Sequence, residues 1–255
     1  MGNVIDLSKK ARIVLEKKKI ETVQAQLILA IDISGSMTNL YRNGVVQEVV
    51  DRLLAIGMNM DVDKSIDIFA FNSRGHHVGT ASQENHQSYV SNHITKMVGG
   101  STNYAPVMRM IVKQAGFGEE SNDHAEEESG SLLKRFFGRK KENTTPSAPT
   151  TPTENPSIPT FVFFITDGDN FDPNETESLI KKVSKDPIFW QFVGIGKERM
   201  SFLEKLDNMP GRFLDNANFF RVNDISNIED EELYNRILNE FPSWLKDAKE
   251  KGILS

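Results

Sequence analysis

Two apolar runs that each stop at an aspartate constrain this chain more than any other feature. Residues 25–31 (AQLILAI) end at Asp32, and residues 160–165 (TFVFFI) end at Thr166 and Asp167. Apolar runs of this length without polar alternation suit strands covered on both faces, and such strands occur in parallel sheets sandwiched between helices. The acid at each end marks where the strand leaves the core.

The intervening segments alternate in kind. Val45, Val46, Val49, Leu53 and Ile56 follow the helical period, with Glu48, Asp51 and Arg52 between them. Residues 65–71 (SIDIFAF) read as a strand, and residues 76–80 as a short edge strand that could form a hairpin with it. Helical patterns cover 87–97 and 105–115 on either side of Gly99 and Gly100. Beyond Asp167, Asp172 is expected to cap a helix that has Pro173 at its first position and Glu175 completing a capping box, running to about residue 185. A strand over 188–195, a short helix over 200–206, a last strand over 218–222 and a helical region from 229 complete the chain. The alternation predicts an α/β fold, Rossmann-like, with a mostly parallel central sheet flanked by helices. Residues 6–19 form a helix with Asp6 or Ser8 as its cap, so residues 1–24 read as an N-terminal helical extension and 25–255 as a single domain.

Residues 118–159 break the pattern. They are acidic first, then basic with apolar interruptions (LLKRFFGRKK, 132–141), then rich in Thr, Pro and Ser. Too few core-forming residues occur there to offset the entropy of ordering the chain, so the segment is expected to be a disordered insertion with both flanks in one sheet. The run 132–141 reads as a solvated stretch, with contact to an anionic membrane as the less favoured alternative.

Composition removes several function classes. The chain of 255 residues has no cysteine, which leaves no disulfide, thiolate metal site or cysteine nucleophile. A formal net charge of −6 argues against a general nucleic-acid binder, since phosphate neutralisation needs a basic surface. Neither a signal-type apolar stretch nor the roughly 18 apolar residues of a membrane span is present, so a cytoplasmic, monomeric protein is the expectation.

The chemistry concentrates where the two apolar runs end. Asp32, Ser34 and Ser36 follow the first run at alternate positions, at the sheet edge where open α/β folds bind ligands. One carboxylate and two hydroxyls can surround a point there, with Gly35 letting the backbone bend. Magnesium prefers six oxygen ligands, retains waters and takes one or two carboxylates from protein. Thr102, just after the glycine pair, and Asp167 are the natural further donors. If the two strands are neighbours, Asp32 and Asp167 approach each other and a cation relieves their repulsion. Either fragment alone would read as a helix cap or a turn.

Asp32-x-Ser34-x-Ser36, Thr102 within GGSTNYAP, and Thr166-Asp167-Gly168 together resemble the metal-ion-dependent adhesion site (MIDAS) of von Willebrand factor A (vWA) domains. LILAIDISGSM, FVFFITDGDNFD and FWQFVGIG, with the amino-terminal LSKKARIVLEKK, are similar to the tellurium-resistance branch of that family, itself akin to copines. The resemblance implies direct metal ligation by Ser34 and Ser36 and ligation by Thr102 either directly or through water. It implies largely water-mediated roles for Asp32 and Asp167, and a sixth position completed by a carboxylate of a protein partner. It also implies no catalytic residue and a stress-response setting. Mg2+ is the first choice of ion, with Ca2+ or Mn2+ as alternatives. A metal-dependent phosphohydrolase and a copine-like membrane-recruited adaptor are the competing functions.

The remaining polar residues attract bland readings. Asp169 beside Asp167 could tune the ion or hold a second one, but capping by Asp172 is the simpler account. Asp61 and Asp63 lack the EF-hand spacing and read as a solvated turn. None of the five histidines has convincing metal-ligand spacing, and His86 and His93, seven apart on an expected helix, are assigned to the surface.

Overall fold

The two apolar runs pair with each other. In the computed structural model, which describes residues 3–117 and 158–255, β1 (Gln26–Asp32) lies parallel to β4 (Thr160–Thr166) with Ile31 opposite Ile165. Residues 118–157, holding most of the expected insertion 118–159 and the whole of 132–141, lie outside the described residues. The described residues on both sides of that segment belong to one compact unit.

Six strands form one sheet in the order β3-β2-β1-β4-β5-β6. The other strands are β2 (Ser65–Phe71), β3 (Gly75–Ser82), β5 (Ile188–Ile195) and β6 (Ala217–Val222). All pairings are parallel except the β2–β3 hairpin. The mostly parallel α/β expectation is therefore met. The C-terminal ends of β1, β2, β4, β5 and β6 share one edge, onto which their following loops open.

Side chains of a strand alternate between faces, which explains why the central strands need no polar positions. Leu27, Leu29 and Ile31 of β1 join Phe161, Phe163 and Ile165 of β4 in one core, whereas Ile28, Ala30, Val162 and Phe164 point into a second core. The first core is covered by α1 (Val4–Lys17), α3 (Val45–Met60), α8 (Asp230–Ile237) and α9 (Phe241–Glu250). The second is covered by α5 (Ala105–Gln114), α6 (Pro173–Lys182) and α7 (Ser201–Asp207). Two short helices, α2 (Thr38–Arg42) and α4 (Tyr89–His93), complete the described helices apart from single 3-10 turns.

Three local readings change. Helix α1 is capped by Asn3, whose side chain accepts from the Ile5 N–H at 3.0 Å, so Asp6 sits in the first turn and pairs with Lys9 instead. Val4, Leu7, Ala11, Val14 and Leu15 then all reach the core, and α1 packs as an integral covering helix. The helix expected over 87–97 is only α4 and a 3-10 turn at Thr95–Met97. Asp61 is half-buried: its carboxylate accepts the Leu27 N–H at 3.1 Å and anchors the start of β1. No helix among the described residues is long and apolar enough to cross a membrane.

Candidate metal site

The β1–β4 register sets Asp32 beside Thr166, and the chain turns upward from both. The loop after β1 is held low by Ile33, whose N–H donates to Phe71 O at 2.7 Å and whose carbonyl accepts the Gly99 N–H at 2.7 Å. The Gly35 N–H then donates to Gly100 O at 3.1 Å, tying the loop to the glycine pair. Gly99 and Gly100 have φ of 147° and 90°, conformations that side chains strain. At Gly100 a Cβ would also lie 3.4 Å from the Asn72 amide.

On this frame a chain of hydrogen bonds forms. Ser36 Oγ donates to Asp167 Oδ1 at 2.7 Å, so the 3.0 Å contact between the two serine hydroxyls runs from Ser34 to Ser36. Asp32 Oδ1 accepts the Ser34 N–H at 2.6 Å, and Asp32 Oδ2 accepts the Thr166 hydroxyl at 2.7 Å. From α2, the Tyr41 hydroxyl donates to the Asp32 carbonyl at 2.8 Å. Four of the five residues singled out from sequence are thus brought together. Thr102 is only 8% exposed and sits on the adjoining loop, where its carbonyl accepts the Phe171 N–H at 2.9 Å. Among the described residues, no hydrogen bond joins its hydroxyl to the other four.

The electrostatics are one-sided. Asp32 is fully buried, and burial pushes its carboxyl up to about 6 against the lowering effect of the Ser34 and Thr166 bonds; the charge of Asp167 adds to the rise. Burial likewise raises Asp167, opposed by its bond from Ser36. Among the described residues, no Lys, Arg or His side chain hydrogen-bonds or ion-pairs with these four. Two carboxylates are therefore held close by neutral donors alone. No group of three His, Cys, Asp or Glu gathers among the described residues, so a cation here would depend on hydroxyl oxygens as well as carboxylates.

Several neighbours were not visible as site residues in the sequence. Thr166 is one of them: a buried hydroxyl at the last position of an apolar strand signals a polar partner, here Asp32. Asp172 does not cap α6 with its side chain. Its carboxylate instead accepts the N–H groups of Tyr104 and Ala105, at 2.9 and 2.8 Å, and so caps α5. Glu175 closes no capping box and pairs with Arg109 on α5 at 2.6 Å. Asp169 accepts the Phe202 N–H at 3.2 Å, near the start of α7. These carboxylates fasten the post-β4 loop to its neighbours. His86 also departs from expectation: it is 9% exposed, with Nδ1 donating to Asp51 at 2.9 Å.

Residues 24–125 and 138–254 match the family model vWA-TerF-like, described as the vWA found in the TerF C terminus. The chain is 37% identical over 256 residues to the uncharacterized protein YcbR of Bacillus subtilis (strain 168), covering 98% of this chain and 90% of that protein. Its fold is similar to that of proximal thread matrix protein 1 from the mussel byssus, with a TM-score of 0.50 and 16% identity over 85% of this chain. A second structure of that mussel protein, with a zinc-occupied MIDAS motif, gives a TM-score of 0.48 at the same identity and coverage. The chain spans about half the length of the mussel protein, 47% of it in each case.

Proposed function

The chain belongs to the vWA-TerF-like family of vWA domains, and from that premise we propose that it is a metal-ion-dependent protein-binding module whose site is Asp32, Ser34, Ser36, Thr102 and Asp167. The observation that carries this reading is the bonded series Ser34–Ser36–Asp167 beside a buried Asp32, with no cationic side chain among the described residues bonded to it. The donors suit a hard divalent ion, since all are oxygens of hydroxyls and carboxylates, and Mg2+ is the first candidate ahead of Ca2+ or Mn2+. When bound, such an ion supplies positive charge and a position for one outside oxygen ligand.

The residues divide the work. Ser34 and Ser36 would turn their hydroxyl lone pairs to the ion, while Asp32 and Asp167 hold its water ligands and balance its charge. Thr166 and the Ser34 N–H keep both oxygens of Asp32 oriented, and Tyr41 fixes the backbone beneath. Thr102, whose carbonyl is bonded to the Phe171 N–H, would join the ligand set directly or through water. A carboxylate from a protein partner fits the outside position, so the ion joins two surfaces without breaking a bond.

No reaction is assigned. Serine, threonine, tyrosine and backbone donors hold Asp32 and Asp167 in place, a setting that suits ion binding. The tellurium-resistance or stress-response setting and a cytoplasmic location are part of the same proposal, supported by the family alone. The test is capture of partners from the native host on immobilised protein, in magnesium and in chelator, beside Ser34→Ala/Ser36→Ala. Proteins retained by the wild type only in magnesium, and not by the variant, are expected. Identical sets under all three conditions would reject binding through this site.

A further inference from the structure

The Asp51–His86 pair borders a cleft of about 690 Å3, a volume of the order that small-molecule sites have. The start of α1, the stretch from Tyr41 to Asp51 and residues 86–95 line it, and none of the five residues proposed for the metal site does. His86 is only 9% exposed. Its Nδ1 lies 2.9 Å from Asp51 Oδ1, a carboxylate oxygen that only accepts, so Nδ1 holds the hydrogen and in the neutral ring Nε2 holds the lone pair. Nε2 has no partner among the described residues and is not sealed in the interior, so it opens onto the cleft that His86 lines. A deeply buried ring is thus fixed at one nitrogen and left free to accept a hydrogen bond at the other.

The hydroxyls beside it have spent their hydrogens. Ser91 Oγ donates to Ser88 O at 2.9 Å and Thr95 Oγ1 to Val90 O at 3.1 Å, which leaves each with lone pairs alone. The Gln47 amide is engaged at both ends, by Asp51, His86 O and the Val90 N–H. Asn3 uses its oxygen on the Ile5 N–H and keeps its amide hydrogens, while Gln87 and Ser88 can donate or accept. Asp51 carries the formal charge of the lining, and no Lys or Arg lines the cleft. Next in the chain to lining residues, Arg52 is paired with Asp230, and Arg42 and Lys96 stand against Glu48. The preference of the cleft therefore comes from its hydrogen-bonding atoms and not from a long-range field. Those atoms are weighted toward acceptors, and an acceptor set against them would leave both lone pairs unpaired.

We propose that this cleft is a second ligand site, for a small aliphatic amine or guanidino compound whose N–H groups donate to His86 Nε2 and to the Ser91 and Thr95 hydroxyl oxygens. Ammonium and guanidinium groups suit it because they carry several donors and no acceptor. Val4, Val90 and the Tyr41 ring line the same cleft and give the carbon skeleton of such a compound an apolar wall. Asp51 holds the imidazole in the accepting tautomer. One imidazole and one bonded carboxylate fall short of the protein ligand set that zinc takes, so the open nitrogen serves an N–H donor instead of a metal ion. The proposal stands apart from the metal-dependent reading and does not depend on it.

The experiment is titration of the full chain, in magnesium and at physiological salt, with three probes of one chain length: hexylguanidine, hexyltrimethylammonium and hexanoate. The readout is the NMR signal of the His86 ring. Hexylguanidine is expected to shift it saturably. Hexyltrimethylammonium, which has the same charge and no N–H donor, should bind about tenfold more weakly or less, and hexanoate should leave the signal in place. Ser91 is exposed, so Ser91→Trp fills the cleft without entering the core, and it should abolish the shift. His86→Phe keeps a ring and removes the acceptor, and calorimetry should show hexylguanidine binding weakened about tenfold. Equal binding of the quaternary probe, preference for hexanoate, or no saturable shift with hexylguanidine overturns the proposal. A shift that survives in Ser91→Trp overturns it as well, because the probe then sits elsewhere. Loss of magnesium binding at Ser34 and Ser36 would leave every one of these results unchanged.

Discussion

Asp32 and Asp51 are both buried carboxylates, and they meet burial in opposite ways. Asp51, on α3, accepts from Gln47 Nε2 at 3.0 Å and from His86 Nδ1 at 2.9 Å. The same Gln47 amide donates to His86 O at 2.9 Å, while its carbonyl accepts the Val90 N–H at 3.0 Å. That network closes on itself and includes a basic ring. Among the described residues Asp32 has only neutral donors and a second carboxylate nearby, and burial pushes its carboxyl up to about 6. The first arrangement locks α3 to the segment before α4. The second holds two carboxylates at a sheet edge with no basic side chain bonded to them among the described residues.

The sharpest way to break this contrast is pH. Without a metal ion, a folded-state carboxyl raised from 3.8 to about 6 favours the protonated fold, so its contribution is full below about pH 4 and is lost as pH rises through 6. By linkage the loss is about 3 kcal/mol. Asp167 is shifted in the same direction and adds to the trend. Urea unfolding in chelator between pH 4 and 7 should therefore show stability falling with pH in the wild type and a flatter profile in Asp32→Asn. Equal slopes in the two proteins would remove the asymmetry between the carboxylates.

A somewhat smaller effect belongs to Asp51. Asp51→Ala leaves the Gln47 amide and the His86 ring short of a partner in a buried setting, at a cost of about 2 kcal/mol of unfolding free energy. Magnesium affinity, read by calorimetry, should stay at the wild-type value. Loss of magnesium binding in this variant would mean that the two regions are coupled.

Asp172 sharpens the comparison at the smallest scale. It lies five residues beyond Asp167 but is satisfied by two backbone N–H groups, which puts it with Asp51. Asp172→Ala should cost about 1 kcal/mol through the lost cap of α5, seen as a lower thermal midpoint, with magnesium binding kept. A variant that loses magnesium binding while staying folded would move Asp172 into the metal site.

What the sequence made legible follows from the range of the interactions. Strands β1 and β4 announce themselves because two-sided burial removes every polar position, and their adjacency brings Asp32 to Asp167. Ser34 and Ser36 follow from local spacing. Asp172 could not be read correctly because its targets, Tyr104 and Ala105, lie 68 and 67 residues away, and local pattern favoured the nearer helix. The helical pattern around 87–97 runs longer than the helix itself; α4 starts only at Tyr89, and His86 falls in the preceding turn, where it reaches Asp51. The site placement of Thr102 came from motif order, and the fold brings its loop, but not its hydroxyl, into the bonded group.

Calorimetric titration of metal-stripped protein with Mg2+ measures whether Asp32, Ser34, Ser36 and Asp167 hold a divalent cation. One site is expected in the wild type and none in Ser34→Ala/Ser36→Ala, with the circular dichroism spectrum and thermal unfolding showing that the variant is folded. Equal magnesium binding by the folded variant, or a wild type that binds neither Mg2+, Ca2+ nor Mn2+, would contradict it.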